Sequence, residues 1–136
     1  MDSQMMDLSA VKAGLACSRG HILLVDDDEG CCITLGQILR KAGFDVTSAT
    51  GFQSALEVLE GEQPVDLLVT DLVMPSGVNG IALSRMARLR RHNIKVVYVT
   101  GYDVPGAARE ALGPILRKPV DGAQLIEQVE QALAAV

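Results

Sequence analysis

The chain is poor in aromatic residues, with two Tyr, two Phe and no Trp, only 3% of its composition. Its core must therefore be aliphatic, built from Ile, Leu, Val and Ala. Cysteine is scarce as well: Cys17, Cys31 and Cys32 are an odd count with an adjacent pair. That excludes a disulfide framework and points to reduced thiols used as small apolar side chains. No apolar run reaches the roughly eighteen residues that a membrane span needs. Residues 1–20 set Asp2 and Asp7 against Lys12 and Arg19. They lack the basic start and apolar centre of a secretory signal. A cytoplasmic protein with no membrane contact is expected. Positive charge is also in deficit: 12 Lys and Arg face 17 Asp and Glu, a net charge of −5. This argues against direct nucleic-acid binding, which needs clustered Lys and Arg. It suits metal cations or a basic partner surface.

What is present is an ordinary globular balance, 49% hydrophobic and 21% charged over 136 residues. That is one domain's worth, large enough to form a core without staples. Residues 1–19 are expected to form a disordered leader and residues 20–136 the folded domain. The continuous apolar run Ile22, Leu23, Leu24, Val25 marks a strand over His21–Asp26 buried on both faces. A helix is expected over Glu29–Ala42, with Cys31, Thr34, Leu35, Ile38, Leu39 and Ala42 on its apolar stripe, Cys32 off it, and Gly43 ending it. Asp28 and Glu29 suit the start of that helix. A strand over Phe44–Ala49 and a helix over Phe52–Leu59 follow.

Further strands are expected at Val65–Asp71, Ile94–Thr100 and Pro114–Arg117. After the loop Met74-Pro75-Ser76-Gly77, Asn79 can cap a helix reaching about Arg91, with Ile81, Leu83, Met86 and Leu89 among its apolar positions. Ala107–Leu112 reads as a brief helix. Asp121 can cap a last helix with the stripe Leu125, Ile126, Val129 and Leu133. His21 and His92 read as surface residues, and Arg85, Arg88, Arg90 and Arg91 as a solvated helix face. Five alternations of strand and helix call for a doubly wound α/β fold: a five-stranded parallel sheet with helices on both faces.

Ligands of such sheets bind outside the carboxyl ends of the strands. The residues closing the strands are Asp26 and Asp27, Asp71, Thr100 and Lys118. Three carboxylates, a hydroxyl and an amine would thus gather at one edge, and none is a residue type that a core selects. Crowded carboxylates resist joint ionisation unless a cation bridges them. An all-oxygen set without Cys or His selects a hard ion such as Mg²⁺ rather than zinc. Lys118 can neutralise a carboxylate or a phosphoryl oxygen, and Thr100 can donate to another phosphoryl oxygen. Phosphoryl transfer needs mainly positioning and charge neutralisation, with an aspartate as nucleophile.

These residues and their order resemble the receiver domain of two-component response regulators, of CheY-like fold. The resemblance runs through Ile22-Leu23-Leu24-Val25-Asp26-Asp27-Asp28, then Asp71-Leu72-Val73-Met74-Pro75 with Gly80, then Val99-Thr100-Gly101, then Lys118-Pro119, within residues 21–136. It implies strand order 2-1-3-4-5 with five helices. It implies that Asp71 accepts phosphate from a histidine kinase or a histidine phosphotransfer protein, and then loses it slowly. Mg²⁺ would be held by Asp27, Asp71 and the backbone carbonyl of Val73, with Asp26 acting partly through water. Thr100 would move toward the phosphoryl group, Lys118 would pair with it, and the Lys118–Pro119 bond would be cis. The resemblance further implies a signalling domain, monomeric or a weak phosphorylation-dependent dimer, standing alone or within a longer protein such as a hybrid kinase.

Two departures stand out. The family's aromatic three residues before the lysine is Ile115 here, with Tyr102 the nearest substitute. The interval from Thr100 to Lys118 is shorter than in many members by roughly four residues, about one helical turn. A receiver-fold binding module with impaired switching is the alternative. An aspartyl-phosphate hydrolase would want a second Asp where Val73 stands. A flavin carrier would want a Ser/Thr/Gly-rich loop where Asp26, Asp27 and Asp28 stand.

Overall fold

The structure is a computed structural model and describes residues 18–74, 79–104 and 106–135, with residues 107–109 by backbone alone. Strand β1 spans His21–Val25 and helix α1 Glu29–Lys41; β2 spans Asp45–Ala49 and α2 Phe52–Glu60. Strand β3 covers Leu67–Asp71, α3 Gly80–Arg90 and β4 Lys95–Thr100. Helix α4 covers Gly106–Leu112, β5 Ile115–Arg117 and α5 Gly122–Ala134. The five strands form one sheet in the order β2-β1-β3-β4-β5. Every neighbouring pair is parallel. This is the expected doubly wound α/β sandwich.

The apolar runs become central strands because both faces of the sheet are covered. Successive strand residues face opposite sides. Leu23 and Val25 of β1, with Leu68 of β3, join a core under α2 and α3. Ile22 and Leu24, with Leu67 and Val69, join a second core under α1 and α5. Each such fully buried aliphatic side chain stabilises the fold by about 1.5–3 kcal/mol. The core is not wholly aliphatic: Phe44 and Tyr98 are buried too, and Tyr98 is the largest fully buried side chain.

Local signals act as expected at most helix ends. Asp28 caps α1 by accepting from the N–H groups of Gly30 and Cys31. Asn79 caps α3 through Ala82, and Asp121 caps α5 through Ala123. Gly43 has φ 102°, a left-handed value at which glycine is favoured, and follows Ala42, the C-cap of α1.

Two helix faces differ from expectation. On α1 the buried residues are Cys32, Leu35, Gly36 and Leu39, whereas Cys31 is half-buried and Thr34 exposed. The stripe is rotated by about one residue, so that Cys32 and Gly36 rather than Cys31 and Thr34 are buried. On α3 the buried residues are Gly80, Leu83, Ser84 and Ala87, while Leu89 is 76% exposed. His21 is half-buried rather than on the surface, with its ring in a cluster with Thr47 and Gln63.

Of the expected leader, residues 1–17 lie outside the described residues, as do residues 75–78 and Pro105 of the expected loops. Arg19 is tied to the folded body. It donates to the carbonyl of Ala42, pairs with Glu130 at 2.7 Å and covers the Phe44 ring at 4.7 Å. No described helix is long and apolar enough to cross a membrane.

Candidate functional site

The site is built at the carboxyl edge of the three central strands. Asp26 follows β1, where its N–H donates to the carbonyl of Ala49 and extends the β1–β2 ladder by one step. Asp71 ends β3, in register with Val99 of β4. Lys118 follows β5, and its N–H donates to the carbonyl of Thr100 at 2.8 Å. The Lys118–Pro119 peptide bond is cis.

The Lys118 ammonium lies between two buried carboxylates, 2.8 Å from Asp26 Oδ2 and 3.0 Å from Asp71 Oδ2. Asp26 and Asp71 are 2% and 6% exposed, whereas Asp27 projects into solvent. Asp26, Asp27 and Asp71 each offer an oxygen within 4.8 Å of the others'. This all-oxygen set suits a hard divalent ion. Asp71 Oδ1 also accepts the N–H of Val73 at 3.2 Å, which fixes the carboxylate plane.

These residues line an open basin of about 620 Å³ whose rim includes Asp28, Val73, Gly101 and Tyr102. Thr100 ends β4 beside it, 1% exposed, and its Oγ1 accepts the N–H of Tyr102 at 3.1 Å. All six residues expected at the site, Asp26, Asp27, Asp71, Val73, Thr100 and Lys118, thus converge on this edge.

Burial raises the proton affinity of both inner carboxylates, and the balance differs between them. For Asp26, the hydrogen bonds from Lys118 and from the Asp28 N–H outweigh burial and hold it below the usual range. For Asp71, burial prevails over Lys118 and Val73, and the Asp26 charge adds to it, so its carboxyl is pushed up. Burial alone would lower Lys118, but its bonds to Asp26 and Asp71 prevail and hold the ammonium above the ordinary lysine range. Asp71 is therefore the less stabilised anion of the two. On the α1 side of the site, the Cys31 thiol is pushed up to about 12 by burial and by the bonded, charged Asp26.

Sequence reasoning placed Gly80 in the motif but assigned it no role. A Cβ built there would lie 2.2 Å from the backbone oxygen of Asp71. Only a glycine lets α3 begin this close to the acceptor strand. It missed Arg117 and Asp103, which form an exposed ion pair joining β5 to the loop after Tyr102. Two residues so far apart in the chain carry no local signal of that pairing.

The geometry agrees with the comparisons to known proteins. A family model described as the response regulator receiver domain matches residues 22–130. The chain is 35% identical to the response regulator receiver protein CpdR of Brucella abortus, over 85% of this chain and 98% of that one. It is 34% identical to the sensor kinase CckA of the same organism, over 82% of this chain but only 12% of that protein. Among solved structures, a response regulator receiver protein from Sinorhizobium medicae superposes with a TM-score of 0.77 at 32% identity, over 90% of this chain and 98% of that one. By motif order, sheet topology and these similarities, the chain belongs to the response regulator receiver domain family.

Proposed function

We propose that Asp71 is the phosphoacceptor of a two-component phosphorelay, with a histidine kinase or histidine phosphotransfer protein as donor. One observation carries the reading: Lys118 is held between buried Asp26 and Asp71, with Asp27 completing the three-carboxylate set. An Asp71 oxygen attacks phosphorus in line. The P–N bond of the donor phosphohistidine breaks, and its electron pair stays on the imidazole nitrogen, which takes a proton from solvent. Three carboxylates against one ammonium leave a formal excess of two negative charges, which fits a divalent ion. Asp26, Asp27, Asp71 and the Val73 carbonyl would hold Mg²⁺, whose chemistry is to offset charge on the phosphoryl oxygens. Lys118 holds one of those oxygens. Thr100, released from the Tyr102 N–H, donates to another. Hydrolysis of the phosphoaspartate is slow and resets the site.

The same reading makes residues 20–136 a signalling receiver, monomeric or weakly dimeric when phosphorylated. Its setting is the cytoplasm, where the free thiols of Cys31 and Cys32 persist. Acetyl phosphate with Mg²⁺, followed by intact-mass measurement, tests the acceptor step. One labile phosphate is expected, abolished by Asp71→Ala and by EDTA. An unchanged mass where a control receiver is labelled would refute the reading. A second reading, a binding module with impaired switching, is favoured by Ile115, which is buried where the family carries an aromatic. Amide exchange of phosphorylated and unmodified protein separates the two, because the second reading requires superimposable exchange patterns.

A further inference from the structure

The charge of the chain is segregated. No Asp or Glu occurs between Asp71 and Asp103, a stretch that holds Arg85, Arg88, Arg90, Arg91 and Lys95. All 17 acidic residues of this acidic chain lie elsewhere. Helix α3 and its cap residue carry four of these cations. Two of the four are spent on the fold. Arg90 pairs with Glu60 at 3.0 Å. Arg91 donates to the carbonyls of Leu59 and Gly61 at 3.1 and 2.8 Å. Both hold the end of α2 against α3.

Arg85 and Arg88 are exposed, and among the described residues neither has a hydrogen bond or ion pair. With Leu89 they occupy positions i, i+3 and i+4, hence one face of the helix. Leu89, at 76% exposure, is the most exposed large hydrophobic residue among those described. An isolated exposed leucine needs no explanation. One flanked by two arginines on a helix face without an acidic residue has the make-up of a docking patch: an apolar anchor within a rim of one charge sign.

We propose that the outer face of α3, through Arg85, Arg88 and Leu89, docks an acidic amphipathic segment of a partner protein. The segment's carboxylates would meet the two guanidinium groups, and an apolar residue between them would cover Leu89. Charge complementarity selects this occupant. A second copy meeting this face symmetrically would set arginine against arginine. Two arginines on one helix turn are few for a lipid surface, where anchoring takes clusters of about four to eight basic residues.

Fluorescence anisotropy tests the proposal, with a labelled peptide of about twelve residues in which leucines alternate with pairs of glutamates at helical spacing. Counterparts carry Gln for every Glu, or Ser for every Leu. The acidic leucine peptide should bind, and neither counterpart should. Arg85→Gln/Arg88→Gln should weaken binding about five- to tenfold, the sum of two modest surface pairs. Leu89→Ser should weaken it several-fold. Lys41→Glu, on exposed α1, changes net charge by the same amount as the double variant and should leave binding intact. All four positions are exposed, and thermal midpoints check that each variant folds. The proposal fails if the peptide does not bind, if the Gln counterpart binds equally, or if Lys41→Glu weakens binding as much as the double variant. It fails too if these residues instead govern binding to phosphatidylserine vesicles or self-association of the chain.

Discussion

Replacing Gly80 by Ala tests the site through its backbone. The added Cβ would stand 2.2 Å from the Asp71 carbonyl oxygen and 3.1 Å from Thr70 Cγ2. Ordinary contact begins near 3.4 Å, so the start of α3 and the end of β3 must separate by about 1 Å. Both are backbone segments held by neighbours: the Gly80 N–H donates to the Leu72 carbonyl at 2.9 Å, and the Leu72 N–H to Val99 at 2.9 Å. Overpacking of this kind costs about 1–3 kcal/mol, and a rigid neighbour puts it at the upper end. Alanine's better helix propensity returns about 0.5–1 kcal/mol, leaving a loss of about 2 kcal/mol. With a urea slope of about 2 kcal/mol/M, the midpoint falls by about 1 M. Gly106→Ala is the control, since nothing lies within 4 Å of its Cβ position. It should stabilise α4 by about 0.5–1 kcal/mol. The same displacement moves Asp71, and a misplacement of about 1 Å costs up to 100-fold in rate. Acetyl phosphate labelling of Gly80→Ala should therefore slow by about 10- to 100-fold against Gly106→Ala. Equal midpoints and equal labelling rates for the two variants would refute the close approach of α3 to Asp71.

Lys118→Met leaves Asp26 and Asp71 buried and facing each other. At pH 7 without metal it should cost about 3–5 kcal/mol, the range for removing one partner of a buried ion pair. Loss of Lys118 raises both carboxyl groups above their unfolded values, so stability is favoured at low pH and lost as pH rises through the raised range. The deficit against the parent should shrink from pH 7 to pH 4.5 in urea titrations, and Mg²⁺ should restore part of it at pH 7; a deficit constant with pH would sink the assignment. Tyr98→Phe removes the hydroxyl that donates to Ser84 Oγ at 2.7 Å in the core. It should lower stability by about 1 kcal/mol. The double variant with Ser84→Ala should lose less than the two single losses combined, and full additivity in the unfolding midpoints would show that the bond carries no energy.

The fold was legible where one physical cause dominated. Strands buried on both faces need a continuous apolar run, and Ile22–Val25 of β1, Leu67–Val69 of β3 and Val96–Val99 of β4 supply one. Helix ends were legible from Asp28, Asn79 and Asp121, because capping is local. The faces of α1 and α3 were not, because each is set by a contact distant in sequence. Periodicity puts Cys31 on the apolar stripe and Cys32 off it; packing on the sheet instead turns Cys32 inward, where its thiol meets the carbonyls of Asp26 and Ala49 at 3.3 and 3.9 Å. Likewise Leu89 is more apolar than Ser84, yet Ser84 is buried because the Tyr98 hydroxyl offers it a partner. The carboxylates and Lys118 were legible because each closes a strand and the sheet aligns those ends. The approach of Gly80 and the Thr100–Tyr102 bond were not, since both depend on the exact path of loops.

Ile115 raises the question of how the acceptor site is coupled to the rest of the molecule. Ile115 is opposite Tyr98 in the β4–β5 register, and both belong to the core under α2 and α3. The aromatic of this region is thus one strand over, fully buried, and tethered by its hydroxyl to α3 rather than placed at the edge of the sheet. A β-branched residue at position 115 is stiff about χ1 and has no ring to swing. Helix α3, in contrast, touches the sheet at two points, one on the acceptor strand β3 and one on β4. Its first residue, Gly80, abuts the Asp71 carbonyl, and Ser84, one turn later, accepts from Tyr98. Those two contacts fix the rotation of α3 about its axis, and with it the direction in which Arg85, Arg88 and Leu89 face. A shift at the end of β3 therefore acts on α3 directly through Gly80, because close-packed interiors transmit displacement through touching atoms.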